Sequence, residues 1–182
     1  YIETMLAIAP QITVGDPADP ATVVGPLITA AARDRVEGYV QKGIDEGARL
    51  VMGGKRPAHM KKGYFYEVTV FDDVDNSMAI AQDEIFGPVG SVIGFDSDED
   101  AVRIANDSRY GLYGGIHSQD PVKVFEMALQ IRTGGVVING GLYKQMDAPF
   151  GGFKKSGLGR EFGENWLDEY SQEKAIIMPM GT

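Results

Sequence analysis

Glu84, in the stretch Gln82 to Val89 (QDEIFGPV), is the side chain whose setting points most directly to chemistry. The Gly87-Pro88 turn that follows fixes the direction of its backbone, and Ile85 and Phe86 offer apolar surface beside it. An ionised carboxylate only accepts hydrogen bonds, so Glu84 could take them from two neighbouring hydroxyls of a sugar, as acidic residues do for ribose in dinucleotide sites. From spacing alone a solvated surface acid stays open for Glu84, and a core aromatic for Phe86. Other reactive groups are few. The chain has no cysteine, which removes disulfides, thiolate metal sites and thiol nucleophiles. His59 and His117 stand alone without metal-ligand spacing, and no metal site is expected. Ser156 has no base nearby in sequence and reads as a loop hydroxyl. Asp98, Glu99 and Asp100 open a helical pattern and suit its dipole. Despite 24 glycines, neither G-x-G-x-x-G nor G-x-x-x-x-G-K-[ST] occurs.

The elements that must position Glu84 follow from periodicity. Ile2, Met5, Leu6 and Ala9 keep helical spacing, as in a helix begun upstream, which suggests a fragment. Thr29 is the expected N-cap of a helix with Ala32, Val36, Val40 and Ile44 on one face, ending near Gly47. Short apolar runs at 50–52, 64–71, 89–95, 112–117 and 135–139 read as strands. Helical patterns at 98–107 and 120–132 lie between the later ones, the second capped by Asp120 with Pro121 in its first turn and an apolar stripe of Val124, Phe125, Ala128 and Leu129. This alternation predicts an α/β fold with a mainly parallel sheet flanked by helices. A Gly-rich run anchored by Phe150 and Phe153 precedes a helix around 160–170, and KAIIM is expected as a closing strand stopped by Pro179.

Composition narrows the partners. A hydrophobic fraction of 43% over 182 residues suits a globular core. The net charge of −9, with no basic block beyond Lys61-Lys62 and Lys154-Lys155, argues against nucleic acid and anionic membranes. No apolar run is long enough to cross a bilayer, and a cytoplasmic location is expected.

Several long motifs in order, GDPADPATVVGPL, RVEGYVQKGIDEGARLVMGGKRP, AIAQDEIFGPV, IANDSRYGLYGG, IRTGGVVIN and APFGGFKKSGLGREFG, resemble the C-terminal part of the NAD(P)-dependent aldehyde dehydrogenase superfamily. That resemblance implies that Glu84 holds the hydroxyls of the nicotinamide ribose and that Phe86 packs near the nicotinamide. It also implies that Phe150 lines the aldehyde entrance. Family members attack the aldehyde with a cysteine thiolate, pass hydride from the thiohemiacetal to NAD(P)+ and hydrolyse the thioester with water activated by a glutamate. By the resemblance, those groups and the cofactor domain precede Tyr1, so no catalytic residue is assigned here. NAD or NADP would serve the full-length parent, with none expected bound to this chain. Residues 1–170 would form part of the catalytic domain, and residues 171–182 an oligomerisation strand joining copies into a homo-oligomer.

Some positions depart from the common pattern, among them Val68, Gly135 and Val137. In GLYKQMD, which resembles the substrate-tunnel segment, Tyr143 and Lys144 precede Phe150, and Lys144 falls where apolar residues are usual. A cation there could attract a carboxylate-bearing aldehyde; a lysine turned to solvent is the plainer reading. Two classes of function follow: part of an aldehyde-oxidising enzyme, inactive alone, or a free-standing assembly module or truncated relic without catalysis.

Overall fold

The computed structural model describes residues 2–141 and 146–180. The chain separates into two compact units, Tyr1–Phe95 and Asp96–Thr182. In the first, helix α1 (Ile2–Ile8) leads through a short 3-10 turn into an irregular connection, and α2 spans Ala30–Asp45. Thr29 caps α2, its hydroxyl accepting from the Ala32 N–H at 3.0 Å. Gly47, with φ at +100°, ends it and lets the Ala48 N–H return to the Gly43 carbonyl. Strand β1 (Arg49–Met52) pairs antiparallel with β2 (Thr69–Asp72), and a short helix α3 (Ala79–Gln82) carries the chain to β3 (Val89–Ser91), which pairs parallel with β2.

The core of this unit gathers Val36 and Val40 of α2 with Phe71, Ile80, Tyr66, Val74 and Ile85. The buried face of α2 is Val36, Val40 and Gly43, while Ile44 turns outward. Gly43 displaces Ile44 from the expected stripe because a Cβ there would meet Ile80 Cδ1 at 2.9 Å and Phe71 Cζ at 3.3 Å. The missing side chain therefore lets α3 and β2 close on α2.

In the second unit α4 (Asp98–Asn106) is capped by Ser97 and carries its three acidic residues in the first turn. Strand β4 (Tyr110–Gly111) is followed by β5 (Tyr113–Ile116), α5 (Pro121–Gln130) and β6 (Gly135–Ile138), and β5 and β6 pair parallel across the helix. The Asp120 carboxylate caps α5, accepting from Val122 and Lys123. Only Val124 of the apolar stripe is buried; Phe125 and Leu129 are exposed. Strand β7 (Phe153–Lys154) pairs antiparallel with β4.

The α/β class is as expected, but the mainly parallel sheet is not. Among the described residues three small sheets contain two parallel and two antiparallel pairings, because only two connections carry a helix long or placed well enough to cross over. The run at 64–71 forms a strand only from Thr69. The Phe65 and Tyr66 side chains are buried from irregular backbone instead. Where a helix was expected at 160–170 there is a 3-10 turn, Trp166–Tyr170. Residues 171–180 form no strand within the chain and are exposed. No described strand edge pairs with them. No helix among the described residues is long and apolar enough to cross a membrane.

Candidate functional site

Glu84 lies in the loop between α3 and β3, on the border of a surface depression that Ile85 and Phe86 also line. Ile85 points into the core of the first unit, whereas Glu84 and Phe86 both face outward, Phe86 with 70% of its surface exposed. Both nonetheless line the same surface depression, Ile85 from the core side and Phe86 from the exposed side. Their divergence has a backbone cause. Phe86 has φ at +53°, in the left-handed region, which costs a residue with a Cβ roughly 1–2 kcal/mol. That conformation turns the chain so that consecutive side chains at 85 and 86 separate into core and solvent. A bulky residue held there is uncommon, and such outliers gather at functional sites.

Helix α2 supplies the hold. The Arg35 guanidinium donates from Nη1 to the Glu84 carbonyl at 3.3 Å and from Nη2 to the Ile85 carbonyl at 2.6 Å. Its central carbon sits 5.9 Å from the Phe86 ring centre and 6.0 Å from that of Tyr39. One turn along, the Tyr39 hydroxyl donates to Asp83 at 3.1 Å. On the far side of Phe86, Gly87 packs so closely on α2 that a Cβ would meet Val36 Cγ2 at 2.5 Å. Below the loop, the Ser91 hydroxyl donates to the Ile80 carbonyl at 3.0 Å. The surface depression here, about 400 Å³, is bordered by Asp83, Glu84, Phe86 and Gly87 and floored by Ile80 and Ile93.

Phe150 belongs to the second unit. Its backbone exchanges hydrogen bonds with Glu161 at 2.7 and 2.8 Å, and its ring lies 6.2 Å from that of Tyr113. It borders a depression of about 400 Å³ with Leu112, Ser156, Arg160 and Tyr170. Ser156 is a structural hydroxyl, as read from sequence: its oxygen accepts from the Gly111 N–H at 3.0 Å. Tyr143 and Lys144 fall outside the described residues. Among the described residues no group of three or more His, Asp or Glu side chains could hold a metal ion. The structure thus brings Glu84 and Phe86 into one loop, and it adds Arg35 and Tyr39. Arg35 opens one of the motifs that carry the resemblance, but its spacing does not tie it to the loop, because its partners lie 49 and 50 residues away.

A two-unit α/β chain with an exposed carboxylate and aromatic on a strained turn matches known proteins closely. The sequence model described as the aldehyde dehydrogenase family matches residues 1–176, and the chain belongs to that family. A Staphylococcus saprophyticus protein described as an aldehyde dehydrogenase is 47% identical over 167 residues, 91% of this chain and 35% of its own. The crystal structure of a Mycobacterium tuberculosis aldehyde dehydrogenase complexed with NAD+ superposes with a TM-score of 0.93 at 48% identity, over 100% of this chain and 37% of that one. A betaine aldehyde dehydrogenase from Staphylococcus aureus in complex with NAD+ gives 0.89 at 40% identity, over 93% of this chain and 34% of that one. The chain therefore spans about a third of the length of the relatives it matches.

Proposed function

We propose that these residues form the C-terminal part of the catalytic region of an enzyme that oxidises an aldehyde to a carboxylic acid, and that Glu84 and Phe86 serve its nicotinamide cofactor. The observation that carries this reading is the loop itself. A carboxylate and an aromatic ring are turned to solvent together by a left-handed residue, in a chain 48% identical to a protein crystallised with NAD+. The side chains fit the group. A carboxylate can accept both hydroxyls of a ribose, and an exposed ring offers a flat apolar face to a nicotinamide. When bound, NAD(P)+ takes the hydride that an aldehyde carbon loses on oxidation. The part of this chain is to orient: Glu84 fixes the ribose by hydrogen bonds, Phe86 limits where the ring can lie, and Phe150 borders the aldehyde path. The thiol that adds to the aldehyde is not among these 182 residues, which contain no cysteine. Residues 171–182 would pair with another copy of the chain.

Glu84→Gln tests the reading in a chain of the relatives' length that carries these residues. The amide still accepts from one hydroxyl but loses the charge, so hydride transfer should slow roughly tenfold or more. Unchanged single-turnover rate and unchanged cofactor affinity would remove Glu84 from the site.

A further inference from the structure

We infer that Arg35 is a positioning residue for the cofactor-facing loop: its guanidinium fork holds Phe86 left-handed and so aims Glu84 and Phe86 outward together. The inference rests on the proposed cofactor role of those two residues and goes beyond it by naming what sets their conformation. Two N–H groups of one planar guanidinium reach two successive carbonyls, Glu84 O and Ile85 O, immediately before the left-handed residue. Both carbonyls must face the same side for this to happen. That requirement fixes the peptide planes on either side of Ile85, and with them the entry into Phe86. The next residue of α2, Val36, touches Gly87 just after Phe86, so neighbouring positions of one helical turn grip the loop on both sides of the unfavourable φ. The Phe86 ring then lies beside the same guanidinium. Its side chain, though exposed, is thereby given a preferred direction.

The geometry favours arginine. A lysine ammonium can reach two carbonyls, as Lys154 does with Asn106 and Ser108, but it lacks the rigid planar fork that fixes their direction. The grip also explains why the loop can keep a strained residue without burying it. The ordering is built into the protein before any ligand arrives, which spares the ligand that part of the binding cost.

The test compares Arg35→Met, Arg35→Lys and Glu84→Gln in a chain of the relatives' length. The first readout is the crystal structure of each variant without cofactor. The second is NAD+ affinity by calorimetry, with the aldehyde KM as control. In Arg35→Met, Phe86 should leave the left-handed region or become disordered, and NAD+ affinity should fall roughly tenfold or more. The aldehyde KM should stay unchanged. Arg35→Lys should fall between Met and the native protein, and it carries the comparison if the Met variant does not fold. Phe86 remaining left-handed and ordered in both Arg35 variants would overturn the inference. So would a loosened loop with undiminished NAD+ affinity while Glu84→Gln binds weakly, and in that case the cofactor reading itself would stand. Undiminished affinity in all three variants would overturn both.

Discussion

Tyr66 shows what a single side chain contributes away from the site. It is 1% exposed in the core of the first unit, and its hydroxyl has no hydrogen-bond partner among the described residues. Burial pushes its phenol up to about 12 from an ordinary value of 10.0, with the Glu37 charge adding to the effect. Because the folded state holds the proton more tightly, stability is fully present below pH 10 and is lost as pH rises towards 12. The two-unit difference makes that loss roughly 2–3 kcal/mol. Replacing Tyr66 with Phe should flatten this alkaline decline. At neutral pH it should leave stability equal or higher, since an unpaired hydroxyl is removed. Urea unfolding at a series of pH values checks both; a Phe variant that is less stable at neutral pH would show that the hydroxyl is satisfied. At this scale the sequence marked Glu84 and Phe86 through their motif, yet it could not show that Ile85 turns away from them. A positive φ at phenylalanine runs against its intrinsic preference and arises only because residues 35 and 36 impose it.

Helix α2 is the element on which the site depends, since it carries Arg35 and Val36 on one turn and Tyr39 on the next, and buries Val36 and Val40. Its start is set by the Thr29 hydroxyl on the Ala32 N–H. Thr29→Ala should cost about 0.5–2 kcal/mol, whereas Thr29→Ser should retain most of that. Equal losses for the two, measured by denaturant unfolding, would mean that the threonine methyl rather than its oxygen matters. Caps of this kind were readable at Thr29 and Asp120 because donor and acceptor lie within three residues of each other. Strand pairing was not readable in the same way. The run at 64–71 has the composition of a strand, but only Thr69 to Asp72 finds neighbours, β1 on one side and β3 on the other. The stripe on α5 likewise has the right period, and Phe125 and Leu129 are nonetheless exposed. Periodicity predicts a face but not whether anything covers it.

At the scale of the whole molecule, the final residues pose a question of association. Ile176, Ile177, Met178 and Met180 are all exposed, Ile177 at 89%, and among the described residues no strand pairs with them. An exposed, apolar, β-branched segment favours pairing with another chain's edge. We predict dimers or larger species that deletion of residues 173–182 converts to monomers; light scattering that finds monomers before and after the deletion would rule this out.

The same scale decides whether the 182 residues can act alone, and we predict that they neither oxidise aldehydes nor bind NAD+ or NADP+ tightly. Oxidation through an acyl carrier needs a nucleophile, and the chain has no thiol; the Ser156 oxygen accepts a backbone N–H, and among the described residues no histidine or carboxylate is hydrogen-bonded to it. Binding fails for a separate reason. In the proposed reading Glu84 and Phe86 meet only the nicotinamide end, and the chain spans about a third of its relatives' length. Two charge-assisted hydrogen bonds contribute roughly 3–6 kcal/mol in all. Lost translational and rotational freedom costs about 4–15 kcal/mol. At best about 2 kcal/mol remains, which corresponds to a dissociation constant of roughly tens of millimolar or weaker. Preordering of the loop by Arg35 lowers the cost of fixing the protein, but it supplies no contact to adenine or pyrophosphate. Calorimetric titration of NAD+ and NADP+ into the purified chain measures this directly, and a micromolar constant would locate a second set of cofactor contacts within these residues.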